Sequence, residues 1–120
     1  MKPDDACFRP FDETEPYTQD DAAELSFPKV LPEGLVPHVD MGLVTAVGPT
    51  HKRPGVHEDF DQCYLVFRGT GAIHLAGRRI RIDRPGIVVI PRGTEHSMEV
   101  DAGQTMQYVY VNHKEGAGSP

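Results

Sequence analysis

The chain has 120 residues, enough for one hydrophobic core but not for two, and its 38% hydrophobic and 25% charged content is ordinary for a globular domain. No apolar run approaches the roughly 20 residues that span a bilayer, no signal peptide is evident at the start, and no basic patch interleaved with aromatic residues indicates nucleic-acid binding. Cys7 and Cys63 lie far apart and form no CxxC motif, so we expect a reduced, cytoplasmic protein. We expect neither a membrane nor a nucleic acid as partner.

The first part of the chain is strongly acidic. Residues 1–24 contain eight acidic and two basic side chains, whereas the rest contains ten of each, so this segment accounts for the whole net charge of −6. We expect residues 1–25 to form an extended, solvated acidic arm, with covering a partner subunit as a weaker alternative. Within it, Thr18 is a candidate N-cap for a short helix from Gln19 to Leu25.

A proline-rich stretch follows the arm. "FPKVLPEGLVPH" has three prolines between Pro28 and Pro37. Because proline fixes φ and lacks a backbone donor, we expect an extended connector over residues 26–37. The β-rich region then covers residues 38–113, and we expect a flexible tail over 114–120.

Short β-rich runs separated by turn residues fill residues 38–113. They are "HVDMGLVTAV", "QCYLVFR", "AIHLA", "RRIRI", "GIVVIP", "HSMEV" and "TMQYVYVNH". Runs of this length and spacing predict an all-β fold, an antiparallel sandwich or barrel. In "HLAGRRI", Gly77 is expected to supply the positive φ of a hairpin turn.

Two histidines stand beside predicted strands. His57 ends the loop "HKRPGVH" just before "QCYLVF", where Gln62 and Tyr64 share one face, and His96 begins "HSMEV". Imidazoles from two strands can meet inside a small barrel, where neutral rings suit a transition metal. A single histidine near a strand end is more often an ordinary hydrogen-bonded residue, so the two alone do not establish a metal site.

The residues that frame these histidines give a resemblance to the cupin family. The first cupin motif reads G(X)5HXH(X)3-4E(X)6G, and its second histidine matches His57, with Gln62 in the glutamate place and Gly69 six residues later. The second motif reads G(X)5PXG(X)2H(X)3N. Its matches lie in "GIVVIPRGTEHSMEV", with one residue fewer before the proline, and are Gly86, Pro91, Gly93 and His96, while Val100 replaces the asparagine.

The resemblance covers residues 38–113 and implies a cupin jelly-roll barrel. It also implies one bound divalent transition metal, namely zinc, iron, nickel or manganese. The first histidine of the motif is replaced by Gly55 and the glutamate by Gln62, so the site is altered. We expect His57, Gln62 and His96 as ligands, with His51 folding back as a third imidazole. Asp61 and, less favourably placed, Glu58 are alternative carboxylates.

Two functions follow from the resemblance. The first is a metal-dependent enzyme acting on a small oxygen-rich molecule, as a dioxygenase, isomerase, lyase or cyclase, with Asp61 as proton acceptor and Tyr64 in the pocket wall. The alternative is a metal-free module in which Gln62, Tyr64 and the two histidines bind a sugar or metabolite. Cupins commonly dimerise, so we also expect a homodimer with residues 26–37 near its interface.

Overall fold

The computed structural model describes residues 2–10, 17–19, 24–27, 31 and 35–114. Within these ranges no helix is long and apolar enough to cross a membrane. After a single 3-10 turn at Pro3–Asp5, the described residues form strands only. The strands are β1 (Tyr17–Gln19), β2 (Glu24–Phe27), β3 (Val39–Val47), β4 (Thr50–His51), β5 (Asp61–Arg68), β6 (Gly71–Leu75), β7 (Arg78–Ile82), β8 (Gly86–Ile90), β9 (His96–Val100) and β10 (Thr105–His113).

Two antiparallel sheets make up the sandwich. The six-stranded sheet has the order β1-β2-β3-β10-β5-β8, and the four-stranded sheet has the order β4-β9-β6-β7. Alternation along each strand turns one set of side chains inward. The inner faces supply one shared core, whose members are Val44, Ala46, Tyr64, Val66, Ile73, Ile82, Ile90, Met98, Val100, Met106 and Tyr108.

The long strands of the sandwich lie where the sequence patterns place them. The all-β prediction is confirmed, and the seven runs between residues 38 and 113 correspond to β3 and β5–β10. The hairpin between β6 and β7 turns at Gly77, whose φ is +82°. Along each of these strands, apolar residues either alternate with polar ones or follow one another without a break. Tertiary packing and the local sequence pattern therefore favour the same structure.

The predicted helix from Gln19 to Leu25 is wrong. Thr18 and Gln19 lie in β1, while Glu24 and Leu25 lie in β2, and residues 20–23 fall outside the described ranges. β2 pairs with β3, with Phe27 opposite Leu43. Acidic residues near a helix start favour a helix only weakly. Here the backbone hydrogen bonds that β2 makes with the edge of β3 outweigh that preference, so the segment is a strand.

Candidate functional site

The loop after β4 carries His57 against the start of β9. Gly55 and His96 exchange both backbone hydrogen bonds, at 2.9 and 3.0 Å, and the Gly93 amide donates to the His57 carbonyl oxygen at 2.7 Å. The amide of Arg92, which precedes Gly93, donates to Oδ1 of Asp61 at the start of β5 at 2.9 Å. The loop therefore lies at the same end of the sandwich as Gln62, which begins the inner face of β5. Residues distant in sequence therefore meet at one end of the barrel.

His96 is buried, and its tautomer is set by its surroundings. It is 7% exposed, and its Nδ1 lies 3.0 Å from the carbonyl oxygen of Thr94. A carbonyl oxygen can only accept a hydrogen bond, so Nδ1 carries the proton and donates it. In the neutral ring Nε2 then keeps its lone pair as an acceptor or metal ligand.

His57 lies beside His96 and is held neutral. Its ring centroid is 5.1 Å from that of His96, with 45° between the planes, and its other face stacks on Phe60 at 4.5 Å. Burial lowers the pKa of His57, and the positive charges of His96 and Lys52 lower it further against the opposing effect of Asp59. His57 therefore favours its uncharged form at neutral pH.

Gln62 presents an oxygen that no described residue satisfies. The side chain is 8% exposed, and its Nε2 donates to Oδ1 of Asn112, directly opposite on β10, at 2.7 Å. This bond orients the amide and leaves Oε1 buried without a hydrogen-bond partner among the described residues. An unsatisfied buried carbonyl costs about 1–3 kcal/mol, so a ligand that donates to Oε1 is favoured.

Tyr64 lies next to Gln62 on the inner face of β5. It follows Gln62 on the inner face, is 8% exposed, and meets the edge of His96 at a centroid distance of 6.3 Å. Its other neighbour is Tyr108, at 4.6 Å. Tyr64 thus belongs to the hydrophobic core and also lies beside His96, and its place in a pocket wall stays a prediction.

Gly55 leaves room beside His96. A Cβ built on Gly55 would meet nothing within 4 Å, and the φ angle of Gly55 is not positive, so its backbone would accept a side chain. In an antiparallel bridge, directly opposed residues point to the same side of the sheet, so a side chain here would project beside His96. The replaced first histidine of the cupin motif therefore corresponds to open space rather than to a rebuilt wall.

The structure does not bring His51 to this site. His51 lies opposite Glu99 and hence on the outer face of the four-stranded sheet. There its Nε2 is hydrogen-bonded to Oγ of Ser97 at 3.1 Å, and its ring stacks on His74 at 4.6 Å. The two-residue strand β4 turns His51 away from the inner face that carries His96.

Asp61 is also turned away from the two imidazoles. Oδ1 of Asp61 accepts the backbone amide of Arg92 at 2.9 Å, and both carboxylate oxygens lie 3.3 Å from the Arg92 guanidinium. The side-chain and backbone hydrogen bonds from Arg92 lower the pKa of Asp61. A carboxylate so engaged is a weak proton acceptor.

The donors at the site do not fit a resident divalent metal. Across the described ranges, no group of three or more His, Cys, Asp and Glu side chains is arranged to hold an ion. His57, His96 and Gln62 offer neutral donors, without the carboxylate that would offset the charge of a divalent ion. The metal prediction for these residues and for His51 stays a prediction.

Asn112 and Thr94 are the site residues that the sequence analysis missed. Asn112 fixes the amide of Gln62, and Thr94 fixes the ring of His96. Asn112 shares its strand face with Tyr108 and Tyr110, so a polar residue in that alternating series was the available signal. Thr94 acts through its backbone carbonyl and leaves no signal in its side chain.

Comparisons with known proteins agree on the fold. The family model described as the AraC-like ligand binding domain matches residues 38–118. A predicted oxalate decarboxylase from Thermotoga maritima is 14% identical, with 91% of this chain and 100% of that chain covered and a TM-score of 0.80. KdgF from Halomonas sp. is 18% identical, with 92% and 97% covered and a TM-score of 0.74.

A third solved structure, the cupin domain of Cnp3 from Schizosaccharomyces pombe, is 13% identical, with 87% of this chain and 71% of that chain covered and a TM-score of 0.72. No curated protein sequence matches the chain significantly. At these identities the structural likenesses establish the architecture alone.

Proposed function

Because the chain belongs to the family of AraC-like ligand binding domains, a cupin-type family, we propose that it is a small-molecule binding module whose ligand lies at His57, His96 and Gln62. Membership confirms the cupin barrel that the two motifs implied. The buried, unsatisfied Oε1 of Gln62 carries the proposal. In a closed core, a buried acceptor is hydrogen-bonded by the protein's own donors. In a binding protein, a buried acceptor without such a partner can receive a hydrogen bond from the ligand.

The polar atoms of the site favour a ligand that donates hydrogen bonds. Oε1 of Gln62 can only accept, and Nε2 of neutral His96 accepts because Nδ1 is used on Thr94. The nearby cation Arg92 is engaged by Asp61. We therefore expect a neutral molecule with several hydroxyl groups, and we expect carboxylates to bind poorly because an ionised carboxylate has no proton to donate to these two acceptors.

Binding without turnover fits the site better than metal-dependent catalysis. The predicted proton acceptor Asp61 is held by Arg92, and three neutral donors form an incomplete metal site. A metal-dependent enzyme, with Asp61 and Tyr64 in catalytic roles, is the alternative. It requires that the protein bind a divalent ion tightly when purified.

Calorimetry with a panel of neutral hexoses and polyols, each paired with its uronic or aldonic acid, tests the proposal. We expect neutral compounds to bind and acids not to, and Gln62→Leu to weaken binding by about 10-fold through loss of one buried hydrogen bond. His96→Phe should weaken it similarly. His51→Ala is the matched histidine control and should leave affinity unchanged.

Several outcomes would contradict this function. They are tighter binding of the acids, unaltered binding by Gln62→Leu, or no binding by any neutral compound. Stoichiometric metal in protein purified without a tag, lost in His57→Ala and His96→Ala, would instead favour the metal-dependent enzyme. Thermal unfolding of each variant separates loss of binding from loss of folding.

We also propose a homodimer formed through the outer face of β5 and β8. Ile87 and Val89 are each 67% exposed, and beside them Leu65 and Phe67 are 41% and 48% exposed. This apolar face bears no charged side chain between Cys63 and Phe67, so it can pair with the same face of a second copy about a twofold axis. Much of segment 26–37, the interface predicted from the sequence, lies outside the described residues.

Light scattering tests the dimer. Wild type should have about twice the 13.3 kDa chain mass. Leu65→Asp should shift it toward the monomer, since burying a carboxylate in an apolar interface is unfavourable. Val47→Asp, at a similarly exposed apolar position on β3, is the control and should remain dimeric. A monomeric wild type at working concentration would contradict the proposal.

A further inference from the structure

A cavity lies at the side of the barrel, between the last strands of the two sheets. β7 ends the four-stranded sheet and β8 ends the six-stranded sheet, so the two edges are not joined by a ladder. The cavity between them has a volume of about 360 Å³, within the size range of small-molecule sites. Its apolar lining includes Val66, Ile73, Leu75, Ile80, Ile82 and Val88, and its edge on β8 includes Ile87 and Val89 of the proposed dimer face.

Ile80 shows that the cavity exposes the inner layer of the sandwich. Ile80 pairs with Ile73, which pairs with the buried Met98, so all three point to the inner face. Yet Ile80 is 40% exposed, whereas Ile82, on the same face of the same strand, is 8% exposed. An inward-facing isoleucine is left in water because β8 does not close over it. Covering such surface gains roughly 25 cal/mol per Å², which favours an apolar occupant.

The rim of the cavity is cationic at one available position. Arg81 lines the cavity but is held by Asp101 through two hydrogen bonds of 2.9 and 2.6 Å. Arg84 also lines it, and its side chain is 87% exposed. The carboxylate described next to it is that of Asp83, which also lines the cavity and lies 3.9 Å away, beyond hydrogen-bond distance. Arg84 can therefore receive an anion at the mouth while an apolar chain lies inside.

We propose that the cavity between β7 and β8 is a second ligand site, for a slender apolar molecule that carries one carboxylate. The ligand's chain covers Ile80 and Val88, and its carboxylate pairs with Arg84 at the rim. This chemistry is opposite to that of the barrel end, where Gln62 and the imidazoles present acceptors. The two sites are thus selective for different molecules and are testable one at a time.

Octanoate, with 1-octanol as its uncharged counterpart, is the probe for isothermal titration calorimetry. We expect one octanoate per chain, bound more tightly than octanol. Arg84→Ala should weaken octanoate by up to about five-fold, as for an exposed ion pair, and leave octanol unchanged. Arg84→Lys should retain most of the affinity because it keeps the charge.

Ile80→Glu tests the apolar wall. The new carboxylate lies at the mouth and should reduce octanoate affinity by at least about 10-fold, through repulsion and a lost apolar contact. Val47→Glu adds the same charge at another exposed strand position and should leave affinity unchanged. Gln62→Leu should also leave it unchanged, so this result stands apart from the function proposed for the barrel end.

Three results would overturn the second site. Octanoate that does not bind at millimolar concentration excludes it. Equal loss of octanoate and octanol affinity in Arg84→Ala excludes the carboxylate contact. Loss of binding in Gln62→Leu with retention in Ile80→Glu would move the ligand to the barrel end. Arg84 is exposed, so its variants remain informative even where Ile80→Glu fails to fold.

Discussion

Two histidine pairs lie on opposite faces of the four-stranded sheet, and the outer pair is satisfied by the protein itself. His51 and His74 stack with 23° between their ring planes. Ser97 is hydrogen-bonded to His51, and Oε2 of Glu99 lies 2.9 Å from Nε2 of His74. Each ring thus has a polar partner from β9, and the pair is part of the outer surface.

Among the described residues, no carboxylate is hydrogen-bonded to either ring of the inner pair. His57 and His96 are tilted against each other, and the only hydrogen bond described for their ring nitrogens joins Nδ1 of His96 to a backbone carbonyl. At the same end of the barrel are the unsatisfied oxygen of Gln62 and the open space at Gly55. Environment, rather than residue type, therefore decides which histidines remain available to a ligand.

Converting the inner pair into a full metal site should give the largest effect. Gly55→His adds an imidazole into open space beside His96, and Gln62→Glu adds the missing negative charge. Each ligand of a four-ligand zinc site contributes roughly 3 kcal/mol, so we expect the double variant to bind Zn²⁺ at least about 100-fold more tightly than wild type. Competition with a chromogenic chelator measures the affinity.

Gly86→His combined with Gln62→Glu is the matched control for that gain. A Cβ on Gly86 also meets nothing within 4 Å, but Gly86 pairs with Val66 at the far end of β5. The control should therefore gain only the part of the affinity that Gln62→Glu contributes. Equal gains in the two double variants, or none in either, would mean that a side chain at position 55 does not project toward His96.

Local pattern predicts most of the fold but a smaller part of the site. β5 and β10 are recognisable because apolar alternation and flanking turn residues act locally. β2 is not, because its proline-rich, acidic surroundings are typical of a connector and its pairing with β3 depends on register across the fold.

The same difference between local pattern and long-range pairing decides which site residues the sequence predicts. His57 and His96 have neighbouring motif residues that mark their place, and the structure brings the two rings together. His51 lies on a two-residue strand, too short for alternation to show its face, and it points outward. Asn112 meets Gln62 only through the pairing of β10 with β5, fifty residues away in sequence.

The cluster around the outer pair should affect the free energy of unfolding at acid pH. Hydrogen bonds from Arg79 and then from His74 lower the pKa of Glu99 to about 2, from an ordinary value of 4.5. A lowered carboxyl pKa stabilises the folded state above the unfolded value and loses that contribution as pH falls from 4.5 toward 2. Glu99→Gln should therefore reduce the free energy of unfolding at pH 7 and remove part of the decline in acid. Urea unfolding at pH 7, 5 and 3 measures both.

The inner pair should respond in a different pH range. Because the pKa of His57 is lowered from 6.5, the unfolded state takes up a proton first, and stability declines as pH falls below 6.5. Glu99→Gln should leave that decline intact, and His57→Gln should remove it while preserving the loss between 4.5 and 2. Asp83→Asn is the charge-matched control for Glu99→Gln, since Asp83 is exposed and 3.9 Å from Arg84. Equal losses in Asp83→Asn and Glu99→Gln would mean that net charge, rather than the Glu99 cluster, sets stability on the outer face.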